Sequence, residues 1–315
     1  LTQYIIRHLI HSVIIVWGCA TLVFFLMRAI PGDPIIQMLG PEYTPEAADA
    51  LRHKLGLDEP VWIQYFKWMG DALRGDFGSS ITGAESVGGA IASGLPKTMS
   101  IALLAFLIAT AIAVPAGILA ALKRNSPADF VVSIIAFLGV SMPSFWFGII
   151  LILVFAVNLG WLPSLGYKSF SSDGPVEWFR HLLLPSLAIG AGYSAILMRF
   201  VRASLLEAMN SDYIRTARAK GLSERRVVVA HGLRNSLIPV VTVAGIQVAL
   251  LLSGTVIIET VFAIRGIGRL LIGAIFDKDY PMVQGTILVV AVIFVFANLI
   301  VDIIYTLLDP RIKYD

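Results

Sequence analysis

The sequence predicts an all-α polytopic membrane protein: six transmembrane helices, a helical insertion between the first two, and a short basic helix in a late loop. Three observations carry that expectation. Of 315 residues, 57% are hydrophobic and only 14% charged, with a mean hydropathy of +0.82, whereas a soluble chain of this length needs far more polar surface. Six apolar runs approach the roughly 20 residues needed to cross about 30 Å of hydrocarbon. Between Ser211 and Pro239, the basic stretch SDYIRTARAKGLSERRVVVAHGLRNSLIP interrupts the apolar sequence and must face water. The net charge of +3 is too small and dispersed to suggest nucleic-acid binding, and the single cysteine, Cys19, excludes an internal disulfide or a cysteine-rich metal site.

The expected spans are 8–27, 98–122, 130–157, 182–201, 240–262 and 283–307, and no fixed-period repeat is visible. In the first, Val16-Trp17-Gly18-Cys19 has the outline of a lipoprotein signal. Apolar sequence continues to Met27, however, and Trp17 is too bulky for the cleavage region, so a retained helix is expected. Pro115, Pro143 and Pro185 predict kinks whose freed carbonyls need protein partners, which implies a bundle.

The segment 31–97 reads as structured. Thr44-Pro45-Glu46 is a cap followed by proline at the first helical position, Gly56 ends that helix, and Ala47, Ala48, Leu51 and Leu55 form its apolar stripe. After Pro60, residues Val61, Tyr65, Trp68, Met69 and Leu73 predict a second amphipathic helix.

Orientation follows from lysine and arginine near the spans. Eight basic residues fall in 199–234, Lys123-Arg124 sits in the turn after the second span, and Arg311 and Lys313 lie in the tail. With Arg7, these define the cytoplasmic side. The segment 31–97 carries five basic and nine acidic residues and belongs outside. Both termini are expected inside.

In the basic stretch, Asn210, Ser211 or Asp212 can cap a short helix and Gly221 can end it in the left-handed conformation. Ala217 and Ala219 leave little side-chain bulk, so another protein's groove could approach closely. Ser223 then caps an Arg-rich helix expected to end near Asn235. A small-residue helix on a stiff pedestal is a docking element.

These residues, Tyr213, Thr216, Ala217, Ala219, Lys220 and Gly221 followed by Arg234-Asn235 and Ile238-Pro239, resemble the loop motif of bacterial ABC importer permeases of the dipeptide/oligopeptide/nickel branch. That motif generally opens Glu-Ala-Ala, whereas Arg215, Thr216 and Ala217 stand there in this chain, a departure that fits the peptide branch. Pro31-Gly32-Asp33-Pro34, the strings 55–60 and 75–80, Ser141-Met142-Pro143-Ser144-Phe145-Trp146 and Asp309-Pro310-Arg311 extend the likeness over essentially the whole chain. The resemblance implies a type I importer permease: an N-terminal span (1–30), an external periplasmic helical segment (31–97), and a five-helix core (98–315) with a cytoplasmic coupling loop (202–238). It further implies that Tyr213, Thr216, Ala217, Arg218, Ala219, Lys220, Gly221 and Leu222 couple to an ATPase. Implied partners are a homologous second permease, two ATPase subunits and an extracytoplasmic solute-binding protein, in a bacterial inner membrane.

Chemistry within the chain is sparse. No GxxxxGK[ST] phosphate loop occurs, so ATP-Mg belongs on partner subunits and no cofactor is expected here. No HExxH, CxxC or acidic calcium loop occurs either, and His8 and His11 read as interfacial residues rather than metal ligands. Gly139-Val140-Ser141 resembles an intramembrane serine-protease site, but such catalysis needs a histidine at membrane depth, and all five lie at span edges or in loops. Ser141 is instead expected to bond a helix carbonyl beside Pro143. An ion-coupled secondary transporter is the other alternative; it calls for paired interrupted helices or membrane-central acids. Candidate pathway-lining residues are Ser141, Gln247, Glu259 and Asn298, with Asp302 and Asn158 as further polar positions.

Overall fold

The computed structural model describes the backbone of residues 2–29, 34–82 and 85–308, and their side chains except those of 2–9, 34, 37, 38, 41, 54, 55, 238, 249, 252 and 302–308. Arg7, Arg311, Lys313, the turn at Pro31-Gly32-Asp33, the end at Asp309-Pro310-Arg311, and the side chains of His8, Leu55, Ile238 and Asp302 therefore lie outside the described residues.

Among the described residues every regular element is helical. The order is α1 (Thr2–Ala29), α2 (Pro34–Leu39), α3 (Pro45–Leu55), α4 (Val61–Leu73), α5 (Val87–Leu122), α6 (Pro127–Ser141) and α7 (Ser144–Leu151). Then come α8 (Pro175–Met209), α9 (Asp212–Ala219), α10 (Glu224–Arg226), α11 (Arg234–Val261), α12 (Ile267–Phe276) and α13 (Tyr280–Leu308). Ile10–Ala29, α5, α8 and Tyr280–Val301 are each long and apolar enough to cross a membrane. Two bent pairs pass the same test jointly, α6 with Ser144–Asn158 and Glu224–Leu237 with Pro239–Val248. The number of crossings equals the six expected spans only if each bent pair crosses once, and the fifth expected span, 240–262, overlaps the second pair only over 240–248.

The chain divides into two compact units. One comprises Leu1–Lys97 with Arg265–Phe296, the other Thr98–Ile264 with Ala297–Asp315. In the first, Val23 and Met27 of α1, Val87 and Ile91 of α5, Ile267 of α12, and Met282 and Val283 of α13 form one apolar core. Asp279, almost fully buried, receives hydrogen bonds from Ser80 Oγ and the Ile81 and Met282 amides, which anchors the loop before α5. The expected α3 is present. Thr44 Oγ1 accepts from the Ala47 amide at 3.2 Å and Gly56 is left-handed at φ +66°.

The second unit is built around α8, which packs against α6, α7 and α11. Its core gathers Leu182, Leu184, Ala188 and Ile189 of α8 with Ile101, Leu151, Leu251, Ile258 and Phe262. Glycine lets α5 approach α8 closely. A Cβ on Gly117 would stand 2.7 Å from Val201 Cβ, and one on Gly190 would stand 2.9 Å from the Ala105 carbonyl. Such contacts suit a bilayer, where helices associate by close packing rather than hydrophobic exclusion from water.

The kink expected at Pro143 is present as a full break: Pro143 supplies no amide, α6 stops at Ser141, and the pair is bent by 105°. Three expectations are corrected. The fourth helix runs from Pro175 to Met209, well beyond 182–201, because polar residues at both ends still support helix. The Arg-rich helix does not end near Asn235. It passes through a π-helical turn (Val227–Leu233) into α11, and Pro239, inside that helix, falls where Glu224–Leu237 and Pro239–Val248 are bent by 48°. Finally, Val61 and Leu73 of the α4 stripe are exposed, while Tyr65 is buried and Trp68 and Met69 half-buried.

Candidate functional site

The basic loop folds into a compact knob within the second unit. Helix α9 starts after Ser211, whose side chain bonds the Ala208 carbonyl rather than capping α9. Its C-terminus is a complete Schellman motif: the Leu222 amide donates to the Ala217 carbonyl and the Gly221 amide to the Arg218 carbonyl, with Gly221 at φ +77°. The hydrophobic contact that accompanies this motif joins Ala217 and Leu222. Both belong to a cluster with Ile214, Val227 and Met209, so α8, α9 and the π turn share one small core.

Two ion-pair bonds brace the turn. Arg218 Nη2 donates to Glu224 Oε1 at 2.6 Å, and Nε donates to Oε2 at 3.1 Å. This bidentate contact holds the Glu224 carboxyl below the ordinary glutamate range. Ser223 occupies the N-cap position of α10 but makes no side-chain cap bond.

The eight candidate residues divide by face. Ala217 is 7% exposed and points into the chain's own core, and Leu222 is half-buried against it. Tyr213, Thr216, Arg218, Ala219, Lys220 and Gly221 are exposed. Thr216 Oγ1 is tied back to the Asp212 carbonyl at 3.0 Å. The outward surface of α9 therefore offers one aromatic ring, one alanine, a threonine methyl and a basic C-terminal end.

The four pathway candidates lie on three helices, α6, α11 and α13. Ser141, exposed at the end of α6, donates to the Phe137 carbonyl at 2.8 Å, the helix-carbonyl bond expected beside Pro143. Gln247 and Glu259 both lie on α11, twelve residues and so about 18 Å apart along the axis. Glu259 is fully buried and accepts from Thr98 Oγ1 at 2.5 Å. Gln247 is also buried, and its Nε2 has no hydrogen-bond partner among the described residues. Asn298, on α13, is half-buried, and Asn158 is exposed.

Sequence reasoning missed one contact beside the knob. Asp129, at the start of α6, is 5% exposed and accepts from Arg202 of α8 through two bonds, Nε to Oδ1 at 2.7 Å and Nη2 to Oδ2 at 2.8 Å. The Asn125 amide, in the left-handed turn before α6, also donates to Asp129 at 3.0 Å. In the sequence Arg202 is one of the eight basic residues of 199–234 that set the orientation. The available signal was an acidic residue five positions after Arg124, on the side where cations gather.

Comparison with known proteins agrees with this architecture. Residues 113–314 match the family model for the binding-protein-dependent transport system inner membrane component, and residues 1–102 match the model for the N-terminal part of such membrane components. A Brucella abortus (strain 2308) chain, named for a peptide transport system permease, is 43% identical over 315 residues, 100% of both chains. The oligopeptide transport system permease protein AppB of Bacillus subtilis (strain 168) is 39% identical, again over 100% of both. The glutathione transport system permease protein GsiC of Escherichia coli (strain K12) is 39% identical over 99% of both. Among solved structures, the MetNI methionine ABC transporter aligns at a TM-score of 0.57 with 21% identity, covering 70% of this chain and 96% of that one, a likeness of fold. The chain belongs to the binding-protein-dependent transport system inner membrane components, as a transport permease subunit of the ABC importer class and not an enzyme.

Proposed function

We propose that this permease carries peptides or related small solutes across a bacterial cytoplasmic membrane, together with a homologous second permease. In this reading, ATP-Mg binds two separate ATPase subunits, and an external binding protein delivers solute to the side formed by 31–97. Both termini and the loop 202–238 face the cytoplasm, and residues 98–315 form the transport core. The peptide class rests on the printed names of the relatives aligned over the whole chain.

The observation that carries the mechanism is the knob: a helix whose inner face is welded to α8 and the π turn while its outer face is free of bulky apolar side chains except Tyr213. ATPase closure pushes on that outer face, and the shared core passes the displacement to α8 and α11, a coupling between sites rather than catalysis. Tyr213, Thr216, Ala219 and Lys220 make the contact. Ala217, Leu222 and Gly221 shape the helix that presents it, and Arg218 braces the turn through Glu224. Gln247, with an unused buried amide, is the pathway candidate we retain.

The direct test is cross-linking from Thr216→Cys and Ala219→Cys in a Cys19→Ser background. Both should link to the ATPase subunit in membranes, and the link should change with nucleotide. Absence of any link from both positions in an assembled, transporting complex sinks the docking role. Ala217 is unsuitable for this purpose, because a larger side chain there disturbs the helix's own seat.

A further inference from the structure

Helix α4 is held against α1 by contacts that fix its depth. Tyr65 Oη hydrogen-bonds Thr21 Oγ1 at 2.7 Å, and the Tyr65 ring stacks on Phe25 at 5.8 Å and meets Phe24 edge-on at 5.2 Å. Trp68 also lies against Phe24, at 5.5 Å, and Arg28 donates to Gln64 Oε1 at 2.7 Å. All of these residues belong to one compact unit.

Helix α1 is 28 residues long, about 42 Å at 1.5 Å per residue, and its described apolar run, Ile10–Ala29, is by itself long enough to cross about 30 Å of hydrocarbon. Thr21 lies eight residues, or about 12 Å, inside the Ala29 end. No placement that buries this run leaves Thr21 in water. The segment of α4 that touches Thr21 and Phe25 is therefore level with lipid, although the sequence reading assigned the whole of 31–97 to the external space.

The outer surface of α4 fits that position. Trp62, Phe66 and Leu73 recur at i, i+4 and i+11, one helical stripe, and are 65%, 69% and 83% exposed. The polar residues Gln64, Lys67 and Asp71 occupy a different side, where they line a cavity with Glu59 and Asp76. Tyr65 and Trp68 fill the third side, towards α1. On α1, Leu22, Phe25 and Leu26 are likewise exposed at membrane depth. At 13 residues α4 is too short to cross. A helix with aromatic and leucine side chains on one face and charges on another is suited to the bilayer interface.

We propose that α4 is an interfacial membrane helix, with Trp62, Phe66 and Leu73 inserted into the acyl-chain region of the leaflet nearest Ala29. This requires only that α1 span the bilayer, as the permease family and its own length imply, and is independent of the coupling role of α9. In the native transporter, reconstituted in phosphatidylglycerol and phosphatidylethanolamine bilayers, spin labels are placed singly at Trp62→Cys and Phe66→Cys on a Cys19→Ser chain. Asp49→Cys on α3 serves as the water reference and Leu22→Cys as the lipid reference. Oxygen, which concentrates in acyl chains, should relax both α4 labels several-fold more effectively than a water-soluble nickel chelate, as at Leu22→Cys. Dominant relaxation by the chelate would place α4 in water and overturn the proposal. Immobile labels reached by neither agent would mean that a protein surface covers the stripe, which overturns it equally. Both positions are exposed in the folded chain, so the substitutions remove no core packing.

Discussion

Gly221 shows how much of the knob depends on a single backbone angle. A Cβ at this position would meet nothing within 4 Å, so space is not the constraint; φ is, at +77°. Valine there costs about 1–2 kcal/mol in backbone energy alone, and the strain is relieved by unwinding the Schellman turn that seats Leu222 on Ala217. Gly221→Val should therefore sever hydrolysis from uptake while leaving insertion and subunit assembly intact. Asparagine tolerates the left-handed region, so Gly221→Asn should retain most coupling. Solute-stimulated ATPase activity and uptake in proteoliposomes separate the two variants. Full coupling in Gly221→Val would remove the turn from the mechanism. At this scale the sequence was unusually readable, because a glycine after a short polar helix has few other uses. The facing of Ala217 was not readable. A lone alanine at helical spacing is equally compatible with an inner or an outer face until Ile214 and Val227 are known to be its neighbours.

Among the elements, α8 connects the knob to the membrane core. It runs unbroken for 35 residues, from Pro175 to Met209, and its last turns carry both Met209 in the knob's core and Arg202 in the bond to α6. Any displacement of α9 that moves α8 must then either drag α6 along or break the Asp129–Arg202 pair. Removing one partner of a buried pair costs about 3–5 kcal/mol, and Arg202, whose side chain is 31% exposed, places this pair near the lower end. Asp129→Ala should lower the thermal midpoint of the purified complex and reduce coupling, whereas the exchange Asp129→Arg with Arg202→Asp should recover part of both. If the single variant leaves both quantities unchanged, the pair transmits nothing. Element boundaries were legible where local chemistry decides them. Thr44, Pro45 and Gly56 fixed α3 from sequence alone. They were illegible where continuation is decided by packing: α11 proceeds through Pro239, whereas α6 stops before Pro143. The two faces of α4 were merged into one stripe for a related reason. A helix lodged between another helix and lipid is apolar on two sides, and a single hydrophobic period cannot separate them.

For the whole molecule, the distribution of charge makes a prediction that neither the packing nor the family match addresses. Lysine and arginine concentrate in 199–234 and at Lys123-Arg124, while 31–97 has nine acidic residues against five basic. Cytoplasmic loops retain such cations. An even number of crossings then returns both ends of the chain to the same side; the count is six if both bent helix pairs cross and four if neither does, so parity alone does not decide whether they cross. Single cysteines on a Cys19→Ser chain can test this in intact spheroplasts with a membrane-impermeant maleimide. Asp49→Cys on α3 and Lys168→Cys in the loop before α8 should label from outside. Lys123→Cys and Lys220→Cys should label only after the membrane is opened. Labelling of Lys220→Cys in intact cells would put α9 on the wrong side for any cytoplasmic motor. Labelling of Lys168→Cys only after opening would mean that the α6–α7 pair re-enters the side it left, since the turn at Lys123 and the loop at Lys168 are separated by that pair alone. The 105° bend at Pro143 makes this second outcome a real alternative geometry, so the Lys123/Lys168 comparison, rather than helix length, decides whether the broken third helix crosses the bilayer.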